Sequence, residues 1–330
     1  MKNHKISLGI PTYNDYARLS NVLASIFLFT PTKFDFKVVA LDDGTQNKDT
    51  VKELQSVCDS YGVPLIKHDK NLGIPASWND LTAYYDDCDI QVLFNDDIVI
   101  NDKNWLETVI YFFDNNENIG SIGWNLIQID PKTGRPREGY NLPKGGYSLP
   151  NFDVPPGRVG SPVGCSFAFK RENWKNVKYR DGSSGFPQNY IRSFYEETWF
   201  NFEQWKNGLM SFHVPYPVME HWGSQTFGNN AELSLTNFID FLPKEEYLNI
   251  LEQQPDKLSL PIDRHKIAAL RDLAFRMDYA RAIFAKYWGA VDYWSIPQVQ
   301  VHDEILKIND LPKKNIKYLD KDMIAREVIA

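Results

Sequence analysis

The run Gln91-Val92-Leu93-Phe94 is apolar after its first residue, breaks into Asn95-Asp96-Asp97, and turns apolar again at Ile98-Val99-Ile100. Carboxylates beside a core are costly unless something compensates their charge. Two of them at a strand end point to a hard cation or a polar ligand, with an acidic turn or helix cap as the plain alternative. A second acidic pair, Glu196-Glu197, precedes Trp199, Phe202 and Trp205 at helical spacing. Acids in a first turn serve as dipole partners as readily as chemical groups. Further polar clusters interrupt apolar runs at Pro11-Thr12-Tyr13-Asn14-Asp15, Asp42-Asp43-Gly44-Thr45 and Asn71-Leu72-Gly73.

The elements that must position these groups alternate in type. Lys5–Ile10 reads as a strand, followed by a helix with Leu19, Val22, Leu23, Ile26 and Phe27 on one face. Phe36–Leu41, Val63–Lys67 and Ile90–Phe94 read as further strands, and the segments near 49–61, 75–85 and 105–115 as helices. Strand–helix alternation predicts an α/β fold with a mainly parallel twisted sheet and helices on both faces. Ligands in such sheets collect at the carboxyl ends of the strands, where each cluster named above falls.

A strand near Ile119–Ile127 leads to a segment dense in Pro and Gly from Asp130 to Gly160, read as a lid or a solvated insertion. Pro162–Phe169 reads as a strand whose small residues allow close backbone approach, and Ser211–Val214 as a strand preceding a loop that contains His221. Beyond residue 230 the character changes to helical. An amphipathic helix from about Asp263 to Trp288 presents Ile267, Leu270, Ala274, Met277, Phe284 and Trp288 on one face, suited to packing on the first domain or on a second copy of the chain. The tail after Pro297 reads as surface helix and loop.

The 330 residues, 43% hydrophobic, suffice for one large core with a smaller appended unit. Net charge is −7; residues 261–330 hold 12 Lys and Arg against 10 Asp and Glu, so they carry +2 and the remainder −9. That balance does not favour wrapping nucleic acid. No window reaches the length of a membrane-spanning helix, and the N-terminal apolar run is too short for a signal-peptide core. Cys58, Cys88 and Cys165 show no paired spacing, which implies a reduced, cytoplasmic protein.

In order along the chain, over about residues 5–225, the polar clusters resemble those of family 2 glycosyltransferases with the GT-A fold. Pro11-Thr12-Tyr13-Asn14 resembles the family's first-strand motif and Asp42-Asp43-Gly44-Thr45 its Asp-Asp-Gly-Ser motif. Asn71-Leu72-Gly73 with Trp78-Asn79 is similar to its Asn-x-Gly helix motif, and Asn95-Asp96-Asp97 stands where Asp-x-Asp belongs. Glu196-Glu197 stands where Glu-Asp is usual, and His221-Trp222-Gly223-Ser224 resembles the late His-containing loop. Asn95 replaces an acid, and Glu197 replaces an Asp; both substitutions keep oxygen donors.

The resemblance implies a glycosyltransferase domain over 1–230, with a donor-binding half to about 125 and an acceptor-side half from 126, and a mainly helical extension over 231–330. It implies a nucleotide-sugar donor bordered by Pro11, Thr12, Tyr13, Asn14, Asp42, Asp43, Asn71, Gly73, Asn79, Asn95 and Asp96. Mn²⁺ or Mg²⁺ would be held by Asp97 and His221. Glu197 would be the base in an inverting displacement, already ionised at neutral pH without tuning, and Glu196 an orienting neighbour. The acceptor would be the hydroxyl of a surface glycan or of a hydroxymethylated base in viral DNA, and the C-terminal helices could support a homo-oligomer. Two alternatives remain at this point. A nucleotidyltransferase would carry a Gly-rich basic loop after the first strand, where this chain has Pro11–Asp15. A non-catalytic sugar-binding module would retain the fold alone.

Overall fold

The computed structural model describes residues 2–130, 133–136, 155–162, 164–193, 195–222, 280, 284, 287–288 and 312–330. Strand β1 (Lys5–Thr12) buries every residue after Lys5, as a strand covered on both faces must. It pairs in parallel with β2 (Asp35–Asp42) on one side and β4 (Ile90–Phe94) on the other, and β2 pairs in parallel with β3 (Leu65–Lys67). Parallel neighbours need crossovers, supplied here by α1 (Tyr16–Phe29), α2 (Lys48–Tyr61) and α3 (Ile74–Tyr84). Local chemistry sets their ends. The Asp15 side chain caps α1 through Arg18 N–H, Asn47 caps α2, and Gly62 closes α2 in the left-handed conformation.

The chain continues through β5 (Ile98–Val99), α4 (Trp105–Asn115), β6 (Ile119–Asp130), β7 (Arg135–Pro136), β8 (Gly157–Val159), β9 (Ser166–Lys170), α5 (Arg171–Asn176), α6 (Glu196–Lys206) and β10 (Met210–His221). The main path of the sheet is β3-β2-β1-β4-β9-β6-β10-β5. It is parallel through its first half and mixed in its second, where β9 runs antiparallel between β4 and β6 and β10 lies parallel to β6. The expected break after Val214 is absent. β10 carries Pro215 and Pro217 through a register shift against β6 and continues to His221, which pairs with Ile98. His221 therefore ends a strand and does not sit in a loop.

Apolar residues divide between the two faces. Leu8, Val92, Trp105, Trp124 and Phe212 belong to the core beneath α1 and α4, whereas Leu93, Phe167 and Phe169 join Trp78 of α3 and Trp199 and Phe200 of α6. Ala280, Phe284, Tyr287 and Trp288 are helical and buried in the second core. Phe284 lies 5.1 Å, centroid to centroid, from Phe202, and the Tyr287 hydroxyl donates to Glu203 Oε1 at 3.1 Å. The remaining residues of the expected helix, together with most of the Pro/Gly-rich segment, lie outside the described residues. The described part of the tail is not surface helix and loop: 312–330 contain an antiparallel hairpin, β11 (Asn315–Leu319) and β12 (Ala325–Ile329). It docks on α4 through paired hydrogen bonds, 2.8 Å each, between the Asn116 side chain and the Lys317 backbone. Among the described residues no helix is long and apolar enough to cross a membrane.

Candidate active site

At the carboxyl end of β4 the Asn95 N–H donates to Cys165 O at 2.8 Å, which ties the acidic turn to the start of β9. Asp96 and Asp97 follow, each only 9% exposed. Thr12 Oγ1 donates to Asp96 Oδ2 at 2.8 Å. Asp97 Oδ2 lies 3.3 Å from His221 Nε2, and Trp222 N–H donates to the Asp97 carbonyl at 2.9 Å. His221 Nδ1 is 2.8 Å from Gln128 Oε1. An amide oxygen only accepts, so Nδ1 carries a hydrogen and Nε2 is the ring nitrogen that faces the carboxylate. Such a pair is stable only with a proton or a cation between its members.

Burial pushes the Asp96 carboxyl up to about 7, aided by the neighbouring Asp97 charge. Burial also works to raise Asp97, but the hydrogen bond and charge of His221, with Arg18, hold it below the ordinary carboxylate value. Asp97 Oδ1 and Asn95 Oδ1 are buried without hydrogen-bond partners. Two orphaned oxygens and an imidazole nitrogen are a donor set that fits a divalent cation. Among the described residues no group of three or more His, Cys, Asp or Glu side chains is assembled. A cation here would need phosphate or water oxygens to complete its shell.

The loops after β1, β2 and β3 form one rim. Asn14 N–H donates to Thr45 Oγ1 at 2.9 Å, joining the first loop to the second. Asp42 Oδ1 accepts from Thr45 N–H at 3.0 Å. Pro11 and Thr12 are buried at the end of β1, while Tyr13, Asn14 and Asn71 remain half-buried. Two expected donor contacts are otherwise employed. Asp43 accepts from the N–H groups of Leu72 and Gly73, at 2.8 and 2.9 Å, and from His68 at 2.7 Å, so it anchors the Asn71–Gly73 loop. Asn79 accepts from Trp174 Nε1 and Phe186 N–H and donates to Phe186 O and Gln188 Oε1, which uses its full capacity. It staples α3 to the 174–188 segment. Gly73 has a structural reason to be glycine: its φ is +91°, and a Cβ would lie 2.4 Å from Arg192 O.

Glu196 and Glu197 open α6 directly after Tyr195, which adopts a φ of 64°. Glu196 is buried with Oε2 unpartnered, and burial followed by the Glu197 charge holds its acid well above the usual range. Glu197 keeps part of its surface open to solvent. Burial of its carboxyl still pushes it up to about 7, against hydrogen bonds from backbone N–H groups that include those of Gly164 and Thr198. The expectation of an untuned, fully ionised Glu197 is therefore corrected. Gly164 precedes Cys165, whose carbonyl binds Asn95, so both acidic pairs meet around the carboxyl end of β4 and the start of β9.

Sequence reasoning missed His68 and Gln128, and it read Gly164 only as one of the small residues of a strand. His68 is held between Asp43 and Asp80, and those hydrogen bonds raise it to about 9. Lone polar residues within or beside strands carry no periodic signal, and their partners are distant in the chain.

The family model for glycosyl transferase family 2 matches residues 7–177. Among solved structures, GalNAc-T7 with UDP, GalNAc and Mn²⁺ superposes with a TM-score of 0.56 at 15% identity, over 95% of this chain and 59% of that chain. S. aureus TarS 1-349 in complex with UDP-GlcNAc gives 0.52 at 14% identity, over 87% of this chain and 82% of that one. The mannosyltransferase PcManGT from Pyrobaculum calidifontis in complex with GDP-Man and Mn²⁺ gives 0.50 at 14% identity, over 88% and 77%. A comparison with curated proteins finds no match. This chain thus spans less than two thirds of the GalNAc-T7 chain, and the structural likenesses speak to the fold.

Proposed function

The chain belongs to glycosyl transferase family 2, and from that premise we propose that it moves a sugar from a nucleotide-diphosphate donor to an acceptor hydroxyl, inverting the anomeric centre. The single observation that carries this reading is the meeting of Asp97 and His221 with Glu197 around one strand end, although about a hundred residues separate the acidic pairs in sequence. In this reading residues 1–230 are the catalytic domain, donor side first, and 231–330 an extension whose described residues pack on α6 at Phe284 and on α4 at Lys317.

Asp97 Oδ1 and His221 Nε2 would hold the divalent cation, with Mn²⁺ preferred over Mg²⁺ by the imidazole. Bound there, the cation supplies charge neutralisation for a departing diphosphate. The loops at Pro11–Asn14, Asp42 and Asn71 would border the nucleotide, and Thr12 orients Asp96 toward the sugar side. Glu197 would take the proton of the acceptor hydroxyl as that oxygen attacks the sugar carbon; one base opposite the leaving group gives a single displacement. Net negative charge favours a glycan hydroxyl over duplex DNA as the acceptor. GalNAc-T7, PcManGT and TarS were solved with UDP and GalNAc, GDP-Man and UDP-GlcNAc respectively, which makes uridine and guanosine diphosphate sugars the donors to screen.

The test is nucleoside-diphosphate release from that panel with Mn²⁺. Glu197→Gln should abolish turnover while keeping donor binding, and Asp97→Ala should lose the binding that depends on metal. Wild-type turnover in Glu197→Gln would refute the base assignment, and an unchanged metal-dependent donor affinity in Asp97→Ala would refute the metal site.

A further inference from the structure

The geometry points to Gly164 as a positioning residue for the proposed base: its bare Cα and its N–H fix where the Glu197 carboxylate stands. This rests on the reading of Glu197 as the proton acceptor and adds the residue that aims it. A Cβ built on Gly164 would lie 2.8 Å from both Cδ and Oε2 of Glu197 and 3.2 Å from Oε1. The carboxylate therefore lies flat against the glycine, in space that any other residue would fill. The Gly164 N–H donates to the same carboxylate and favours its ionised form.

The strap that carries Gly164 is itself held to α6, once per helical turn. Gly160 packs under Trp205, where a Cβ would come within 2.6 Å of the ring. Ser161 Oγ accepts from Asn201 Nδ2 at 3.2 Å, and Asn201 Nδ2 also donates to the Glu197 carbonyl at 2.6 Å. Residues 205, 201 and 197 lie one turn apart on one face of the helix, so the strap runs along that face and delivers Gly164 to its first turn. The Asn201 side chain is further fixed by Ser211 Oγ, 2.9 Å from its Oδ1. At the other end Cys165 binds Asn95, so the distance from base to acidic turn is set through a short, hydrogen-bonded chain path.

Steric arithmetic separates the two glycines. At Gly164 the obstructing atoms are the far end of a flexible side chain, which can swing aside with little loss of stability. At Gly160 they belong to a packed indole, which cannot. Gly164 lacks a left-handed φ, so alanine imposes no backbone strain there. Gly164→Ala should leave the fold intact and displace the base. A displacement of about 1 Å in a catalytic group costs on the order of 10²-fold in rate.

The experiment compares Gly164→Ala and Gly160→Ala in the full chain, with the donor that turns over in the panel and Glu197→Gln alongside. Melting temperature, kcat and KM for the donor, and the pH profile are measured. Each variant is also titrated by ¹³C NMR with labelled glutamate carboxyls, Glu197→Gln assigning the signal. Gly164→Ala should keep the melting temperature and KM of the wild type, lose kcat, and move both the alkaline-rising limb and the Glu197 titration to higher pH. Gly160→Ala should lower the melting temperature and leave the limb in place. Wild-type kcat and an unshifted titration in Gly164→Ala would overturn the proposal, as would losses of kcat that track melting temperature equally in both glycine variants. Turnover surviving in Glu197→Gln would instead count against the base itself, and the titration would still report whether Gly164 aims it.

Discussion

Replacing Asn79 with Ala should unfasten α3 from the 174–188 segment and leave the donor site unharmed. The substitution deletes four hydrogen bonds at once, to Trp174 Nε1, Phe186 N–H, Phe186 O and Gln188 Oε1. Each is worth about 0.5–1.5 kcal/mol net, and the abandoned indole N–H and backbone groups add roughly 1–3 kcal/mol apiece where water cannot reach them. Allowing for relaxation at the partly exposed Gln188, the loss is about 3–6 kcal/mol, a large share of the ~5–15 kcal/mol that holds a domain folded. At roughly 2–4 °C per kcal/mol for a unit of this size, the melting temperature should fall by about 6–24 °C. Gly185 must remain glycine in the variant, since its φ is +80° and its Cβ would also meet Trp174 Nε1 at 2.3 Å. The assay pairs thermal unfolding with calorimetric titration of the donor and Mn²⁺ at a temperature where both proteins are folded. An unchanged melting temperature together with weakened donor binding would refute the reasoning and return Asn79 to the ligand.

The buried titratable groups make stability and turnover depend on pH in three ways. Glu197 is raised in the folded protein, so its stabilising contribution is complete below the unfolded value of about 4.3 and is lost as pH rises through about 7. Glu197→Gln should therefore match the wild type in melting temperature in acid and exceed it in mild alkali; a difference that does not change with pH counts against this. In the wild type the same group makes kcat/KM rise with pH up to about 7 and level off, because only the ionised form accepts a proton. His68, raised to about 9 by its bonds to Asp43 and Asp80, stabilises the fold fully below its ordinary value near 6.5, and that contribution is lost as pH rises through about 9. His68→Ala should cost stability at neutral pH, with the gap narrowing in alkali, as urea unfolding at several pH values would read.

Local signals were strong enough to place several elements by inspection. The ends of α4, at Trp105 and Asn115, and of β4, at Ile90 and Phe94, are where periodicity and polar punctuation put them. Pro215 and Pro217 misled the reading of β10, because proline normally ends a strand, whereas here a register shift absorbs them. The hairpin at 312–330 did leave a trace, in the short alternating runs on either side of Asp320. Asp43 and Asn79 were illegible in principle. Their motifs are compatible with a ligand contact, and only partners about 30 and 107 residues away show that Asp43 holds a loop and that the Asn79 amide has no bond to spare.

Stability alone gives no reason for the acids that remain. Among the described residues the buried carboxylate oxygens without a hydrogen-bond partner are Asp97 Oδ1 and Glu196 Oε2, one from each acidic pair. A buried, unsatisfied acceptor costs free energy that an apolar or amide side chain of similar size would avoid. Glu203, on the same helix as Glu196 and equally buried, shows the solved version of the problem: Tyr287 donates to one oxygen and Lys206 to the other. The fold therefore has the means to pair a buried acid and applies them about two turns further along the same helix. Departures from local consistency gather where function demands them. That contrast between Glu203 and the pairs at 96–97 and 196–197 is the physical reason to look for the chemistry at the latter.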